Sequence, residues 1–214
     1  MKKYYPLLLV LIILFSGCGM IAINENDYRF LPQEYKHYIK PFRPELVTQK
    51  INYKKDSLFL YEINTPEIKK VLRQYKYVWL HLWRPYCEAD YCQNISFFAQ
   101  LAWRYQNKGL QLLFISEDYD PITIQKVLAH SIFDKPIFVL QDIWYGHKIK
   151  KNSRLLFNEI NNNPAIHSKR GFDDYLFKDT LLVYAGNRMS ERVLDSLLQP
   201  SQSAVKIPYL KNKH

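Results

Sequence analysis

The stretch Tyr77-Val78-Trp79-Leu80-His81-Leu82-Trp83-Arg84-Pro85-Tyr86-Cys87-Glu88-Ala89-Asp90-Tyr91-Cys92 decides how this chain is read. Residues 77–83 are aromatic, branched or leucine with a single His, which is the composition of a central, buried strand. Two cysteines follow, Cys87 and Cys92, with four residues between them. Residues 91–108 then place Ile95, Phe98, Leu101, Ala102 and Tyr105 at helical spacing, with Gly109 as the stop. A strand, a pair of thiols and an amphipathic helix stand in that order.

Outward from this core, strands alternate with helices. Toward the N-terminus, Thr65-Pro66-Glu67 reads as a helix start, with Thr65 as N-cap and Ile68, Val71 and Leu72 on one face. Toward the C-terminus, residues 110–116 (LQLLFIS) read as a strand, 121–130 as a helix and 136–140 as a strand. A basic helix is expected at 148–160, a strand at 180–184 turned by Gly186-Asn187, and a closing helix at 190–198. This alternation predicts an α/β domain with parallel pairing. The acidic run Glu117-Asp118-Tyr119-Asp120 is expected on a surface loop, and Trp79, Trp103 and Trp144 in core or half-buried positions.

The N-terminus carries an address. Lys2 and Lys3 precede an unbroken apolar run, residues 7–15. That run is too short to span a bilayer core, which takes about 20 residues, and fits a signal peptide. Ser16 and Gly17 lead into Cys18, so the segment resembles a bacterial lipoprotein signal with its lipobox. The resemblance implies cleavage before Cys18 and acylation of that cysteine, palmitate included, which would anchor the chain to the membrane. Gly19, where an Asp would favour the inner membrane, leans the expectation to the outer membrane and a periplasm-facing domain. Residues 1–17 are thus read as the signal peptide, 18–45 as a lipidated tether, 46–199 as the folded domain and 200–214 as a basic tail.

The chain has 214 residues, 48% hydrophobic and 15% aromatic, which argues for a folded globule rather than a disordered one. The net charge of +10 lies in scattered pairs such as Lys54-Lys55, Lys69-Lys70 and Lys150-Lys151 and in the tail, as on a solvated basic face. There is no arginine-rich helix, zinc-knuckle spacing or aromatic RNA-binding signature, so nucleic acid is not an expected partner.

The strand ending in Trp83, followed by Arg84, Pro85, Tyr86 and Cys87, resembles the thioredoxin fold. It is most similar to the TlpA/ResA-like, membrane-tethered thiol-disulfide oxidoreductases, and the resemblance is strongest over residues 77–105. It implies a central mixed sheet flanked by helices and a redox-active Cys87–Cys92 disulfide. Cys87 would be the nucleophile and Cys92 the resolving thiol. Trp83, Pro85 and Tyr86 would stand in the substrate-binding surface, together with Asp179, the residue best aligned with that family's cis-proline. His81 falls where thioredoxins place a buried acid that relays a proton, work an imidazole can do. The implied partners are thiols and disulfides of exported proteins and a transmembrane thiol reductant. No cofactor and no metal are implied.

The family spacing of two residues between the cysteines is here four. Residues i and i+5 of a helix lie about 140° apart at 100° per residue, so a disulfide needs a loop ahead of the helix. Asp90 is the expected N-cap there, with Gln93 completing a capping box. Two other readings are carried forward. In one, a non-catalytic thioredoxin-like lipoprotein uses the disulfide as a staple. In the other, a Sco-like copper-binding protein adds His147 or His167 to the two cysteines.

Overall fold

The computed structural model describes residues 27–54 and 56–198. The expected signal peptide, Cys18 and the expected basic tail lie outside the described residues. Seven strands form one sheet: β1 (Ile39–Pro41), β2 (Leu60–Ile63), β3 (Tyr77–Trp83), β4 (Leu110–Ser116), β5 (Ile137–Leu140), β6 (Asp174–Lys178) and β7 (Leu181–Gly186). Their order is β1-β2-β5-β4-β3-β6-β7. The first five of that order run parallel, and β6 and β7 are antiparallel. The sheet is mixed, as expected.

The described helices are α1 (Gln33–Lys36), α2 (Thr65–Gln74), α3 (Asp90–Gln93), α4 (Ile95–Gln106), α5 (Pro121–Ala129), α6 (Asp142–Tyr145), α7 (Ile149–Ile160) and α8 (Glu191–Leu198). Among the described residues no helix is long and apolar enough to cross a membrane. The long helices flank the sheet in two layers. On one face Phe98 of α4 packs against Trp79, His81 and Phe114. The Tyr105 hydroxyl of α4 donates to Asp195 of α8 at 2.7 Å, which joins α8 to that layer. On the other face Phe157 of α7 packs against Tyr175 of β6. This three-layer α/β arrangement is the thioredoxin-like fold expected from the sequence.

Every residue of β3 is buried, because β4 and β6 pair both edges and helices cover both faces. Alternation then places Tyr77, Trp79, His81 and Trp83 on the α4 side. The strand ends where the cysteine loop begins, and the parallel strands β4 and β5 end beside it.

Several expectations need correction. The tether reading of 18–45 is too long: Ile39–Pro41 pairs with β2, Leu31 is buried, and Tyr28 packs on Tyr119 at 4.9 Å. The N-cap of α2 is Asn64, not Thr65. Asn64 accepts from the Glu67 N–H while Glu67 accepts from the Asn64 N–H, a complete capping box. The acidic run after β4 is no surface loop: Glu117, Asp118 and Tyr119 are buried, and Asp120 caps α5. Trp79 is in the core, whereas Trp103 and Trp144 are exposed.

Candidate active site

From Trp83 the chain leaves the sheet through Arg84, Pro85 and Tyr86, and the Cys87 N–H donates to the Arg84 carbonyl at 3.1 Å. Cys87 and Cys92 form a disulfide with Cα atoms 5.7 Å apart, and both residues are half-buried. Glu88, Ala89 and Asp90 between them are exposed. The expected continuous helix over 91–108 is two helices, α3 and α4, broken at Asn94. This break is how a four-residue spacing closes a ring: Cys92 sits in a separate turn, free of the α4 axis.

The capping differs accordingly. Residue 89, not Asp90, is the N-cap of α3, without a side-chain bond. Gln93 reaches back instead to the carbonyl of Cys87. Asn94 caps α4 by accepting from the Phe97 N–H at 3.2 Å.

Trp83, Pro85 and Tyr86 stand at the base of the cysteine loop, where β3 ends. Trp83 is 1% exposed, and its indole N–H donates to the Cys92 carbonyl at 2.9 Å. Pro85 is buried and Tyr86 half-buried. Burial first, then the Glu117 carboxylate, pushes the Tyr86 phenol up to about 12, against the pull of Arg84.

Asp179 does not belong to this group. Asp179 and Thr180, with φ of 48° and 72°, form the two-residue turn between β6 and β7. That turn sits beside Lys76, ahead of β3, because the Asp179 N–H donates to the Lys76 carbonyl at 2.8 Å. The cysteines follow the opposite end of the same strand, roughly 20 Å away at 3.3 Å per residue.

The residue that stands beside the end of β3 is Asp173, just ahead of β6, whose carbonyl accepts from the Leu82 N–H at 2.7 Å. No cis peptide bond occurs among the described residues. Arg84 grips the Asp173 carboxylate with both terminal nitrogens, at 2.6 and 3.3 Å. Its Nε lies 2.6 Å from Glu117 Oε2 at the end of β4. Ser153 of α7 donates to the other Glu117 oxygen at 2.7 Å. Burial opposes the charge on Arg84, yet Glu117 and Asp173 raise the proton affinity of the guanidinium. Burial raises the Glu117 carboxyl, and Arg84 pulls it back down.

His81 is 2% exposed, and its Nδ1 lies 2.7 Å from Oδ1 of Asp174, a residue with no exposed surface. Asp174 also accepts from the Trp79 indole at 2.8 Å, the Tyr91 hydroxyl at 3.2 Å and the Met189 N–H at 2.9 Å. Burial first, then Asp174, raises the Tyr91 phenol above its ordinary value.

Asp173, Asp174 and Glu117 are the site residues that sequence reasoning missed. The available signal was the Asp173-Asp174 doublet opening the apolar run Tyr175-Leu176-Phe177. Acids at the head of a strand otherwise look like turn residues.

Among the described residues no group of three His, Cys, Asp or Glu side chains could hold a metal ion. The two cysteines are therefore not joined there by His147 or His167 as a copper ligand set.

No protein-family model matches the chain, and no curated protein matches it. Among solved structures it is similar to the thioredoxin domain of the thiol-disulfide oxidoreductase BVU-2223 from Bacteroides vulgatus. The identity is 12% and the TM-score 0.39, over 61% of this chain and 84% of that one.

Proposed function

We propose that the protein is a membrane-anchored thiol-disulfide oxidoreductase of the bacterial cell envelope, acting on exported proteins through Cys87 and Cys92. The observation that carries this reading is the half-buried Cys87–Cys92 disulfide in its own loop at the end of the central strand. The loop is held at its base: Trp83 binds the Cys92 carbonyl and Gln93 the Cys87 carbonyl. Both sulfurs can change partners while that base stays in place.

In the reducing direction the Cys87 thiolate attacks a substrate disulfide, forming a mixed disulfide and releasing one substrate thiolate. The Cys92 thiol then loses its proton to His81, its sulfur attacks Cys87, and the second substrate sulfur leaves with the bonding pair. A transmembrane thiol reductant would restore the dithiol. Acylation at Cys18 would hold the domain on the periplasm-facing side of the membrane, with the outer membrane favoured by Gly19.

C87S and C92S should each abolish catalysed disulfide exchange while circular dichroism stays that of the wild type. C92S should also accumulate a mixed disulfide at Cys87. Loss of the folded spectrum in both variants at moderate temperature would instead favour a structural staple.

A further inference from the structure

We infer that Asp174 is a positioning residue of the exchange site: it holds His81 in the tautomer whose Nε2 receives the proton of the resolving thiol. This inference rests on the exchange reading above. Three donors, the Trp79 indole, the Tyr91 hydroxyl and the Met189 N–H, converge with His81 Nδ1 on one carboxylate without exposed surface. An indole N–H and a backbone N–H can only donate. The Trp79 indole bonds Oδ1 and the Met189 N–H bonds Oδ2, so each oxygen already accepts from a group that can only donate, and the ionised, acceptor-only form of Asp174 fits the site. His81 then presents N–H at Nδ1, and Nε2 carries the lone pair.

The register of the sheet sets this pairing. His81 and Asp174 are direct partners across the antiparallel pair of β3 and β6, so their side chains rise on the same face. The groups packed on the imidazole from other elements are the rings of Phe98, Phe114 and Tyr91, and the cation Arg188 lies 5.2 Å from the Tyr91 ring centroid. Asp174 is the charged group bonded to the imidazole among the described residues.

The same carboxylate reaches the cysteine loop. Tyr91 precedes Cys92 and donates to Asp174 Oδ2, while Trp83, two residues beyond His81 on the same face of β3, holds the Cys92 carbonyl. One fixed anion thus orients the proton acceptor and the residue beside the thiol that needs it. In the resolving step the Cys92 proton passes to His81 Nε2, and the imidazolium faces the Asp174 carboxylate. The Cys92 sulfur bonds to Cys87, and the departing substrate thiolate recovers the proton.

The first test needs no substitution. Nitrogen-15 NMR of the imidazole in the full-length reduced chain should show His81 protonated at Nδ1 and bare at Nε2; the opposite tautomer would overturn the inference. In the second test, D174N should slow the resolving step at least about tenfold, a part of the roughly 10²–10⁴-fold that a well-placed acid or base contributes, because the base itself remains. Its pH profile should also move, with the acid limb shifted to lower pH because the imidazolium has lost its anion. A D174N enzyme with the wild-type rate and profile would overturn the inference. A wild-type protein that exchanges no disulfide at all would overturn the exchange reading and this inference together, whereas an active wild type with the wrong tautomer overturns this inference alone.

Discussion

Arg84 ties together three parts of the site: its own loop, Glu117 at the end of β4 and Asp173 ahead of β6. Glu117 is buried, so removing its cation leaves a charge without compensation. R84A should lower stability by about 3 kcal/mol, measured by urea unfolding. Burial raises the Glu117 carboxyl in the folded chain, against the pull of Arg84. A group raised on folding contributes stability that is full below its ordinary value of 4.5 and is lost as pH rises through the folded value. Relative to E117Q, which does not titrate, the wild-type Tm should therefore be most favourable near pH 4 and fall as the pH rises. A difference independent of pH would rule this out. At this scale the cysteine pair and the strand end before it were legible because their residue types and spacing are themselves the signal. Glu117, Asp173 and Asp174 were not, since an acid in a sequence reads as solvated until the fold supplies its buried partners.

The elements were legible wherever a single periodicity ran without interruption. The expected limits of β3 and β4 match the structure, and those of α7 differ by one residue. Two failures have local causes. The first is the break at Asn94, hidden because apolar residues keep helical spacing across it; only the cap, an Asn side chain bonded to the Phe97 N–H, marks the new start. N94A should cost about 1 kcal/mol in stability and loosen the cysteine loop, which faster alkylation of the reduced thiols would reveal. The second is β6, absent from the sequence reading because the Asp173-Asp174 doublet hides its start. Without β6 in place, Asp179 aligned with the active site although it lies in the turn beyond that strand. Thr180 is a β-branched residue at a φ of 72°, a conformation that glycine accepts without strain. T180G should raise stability by about 1 kcal/mol and leave exchange kinetics unchanged, because this turn and the disulfide lie at opposite ends of β3. A change in exchange rate would return Asp179 to the site.

On the scale of the whole molecule, although β1, β2 and β6 escaped the reading, the α/β class and the order of β3, β4, β5 and β7 with the helices between them followed from the alternation of apolar runs. The domain boundary did not. Residues 27–45 are polar and proline-bearing, yet they supply β1, the buried Leu31 and the Tyr28–Tyr119 contact. A chain beginning at residue 46 should therefore be less stable than one beginning at 27, by about 3 kcal/mol for the apolar surface laid bare. Equal stability would restore the tether reading.

Everything proposed for this protein depends on whether the Cys87–Cys92 bond opens while the protein stays folded. The direct measurement is equilibration of the intact chain, Cys18 blocked, against defined thiol–disulfide ratios, with alkylated thiols counted by mass. The account predicts a reversible two-electron transition at a potential above about −300 mV, in the range of exchange catalysts. A bond that resists reduction until the protein unfolds would contradict it, and the disulfide would then be a staple.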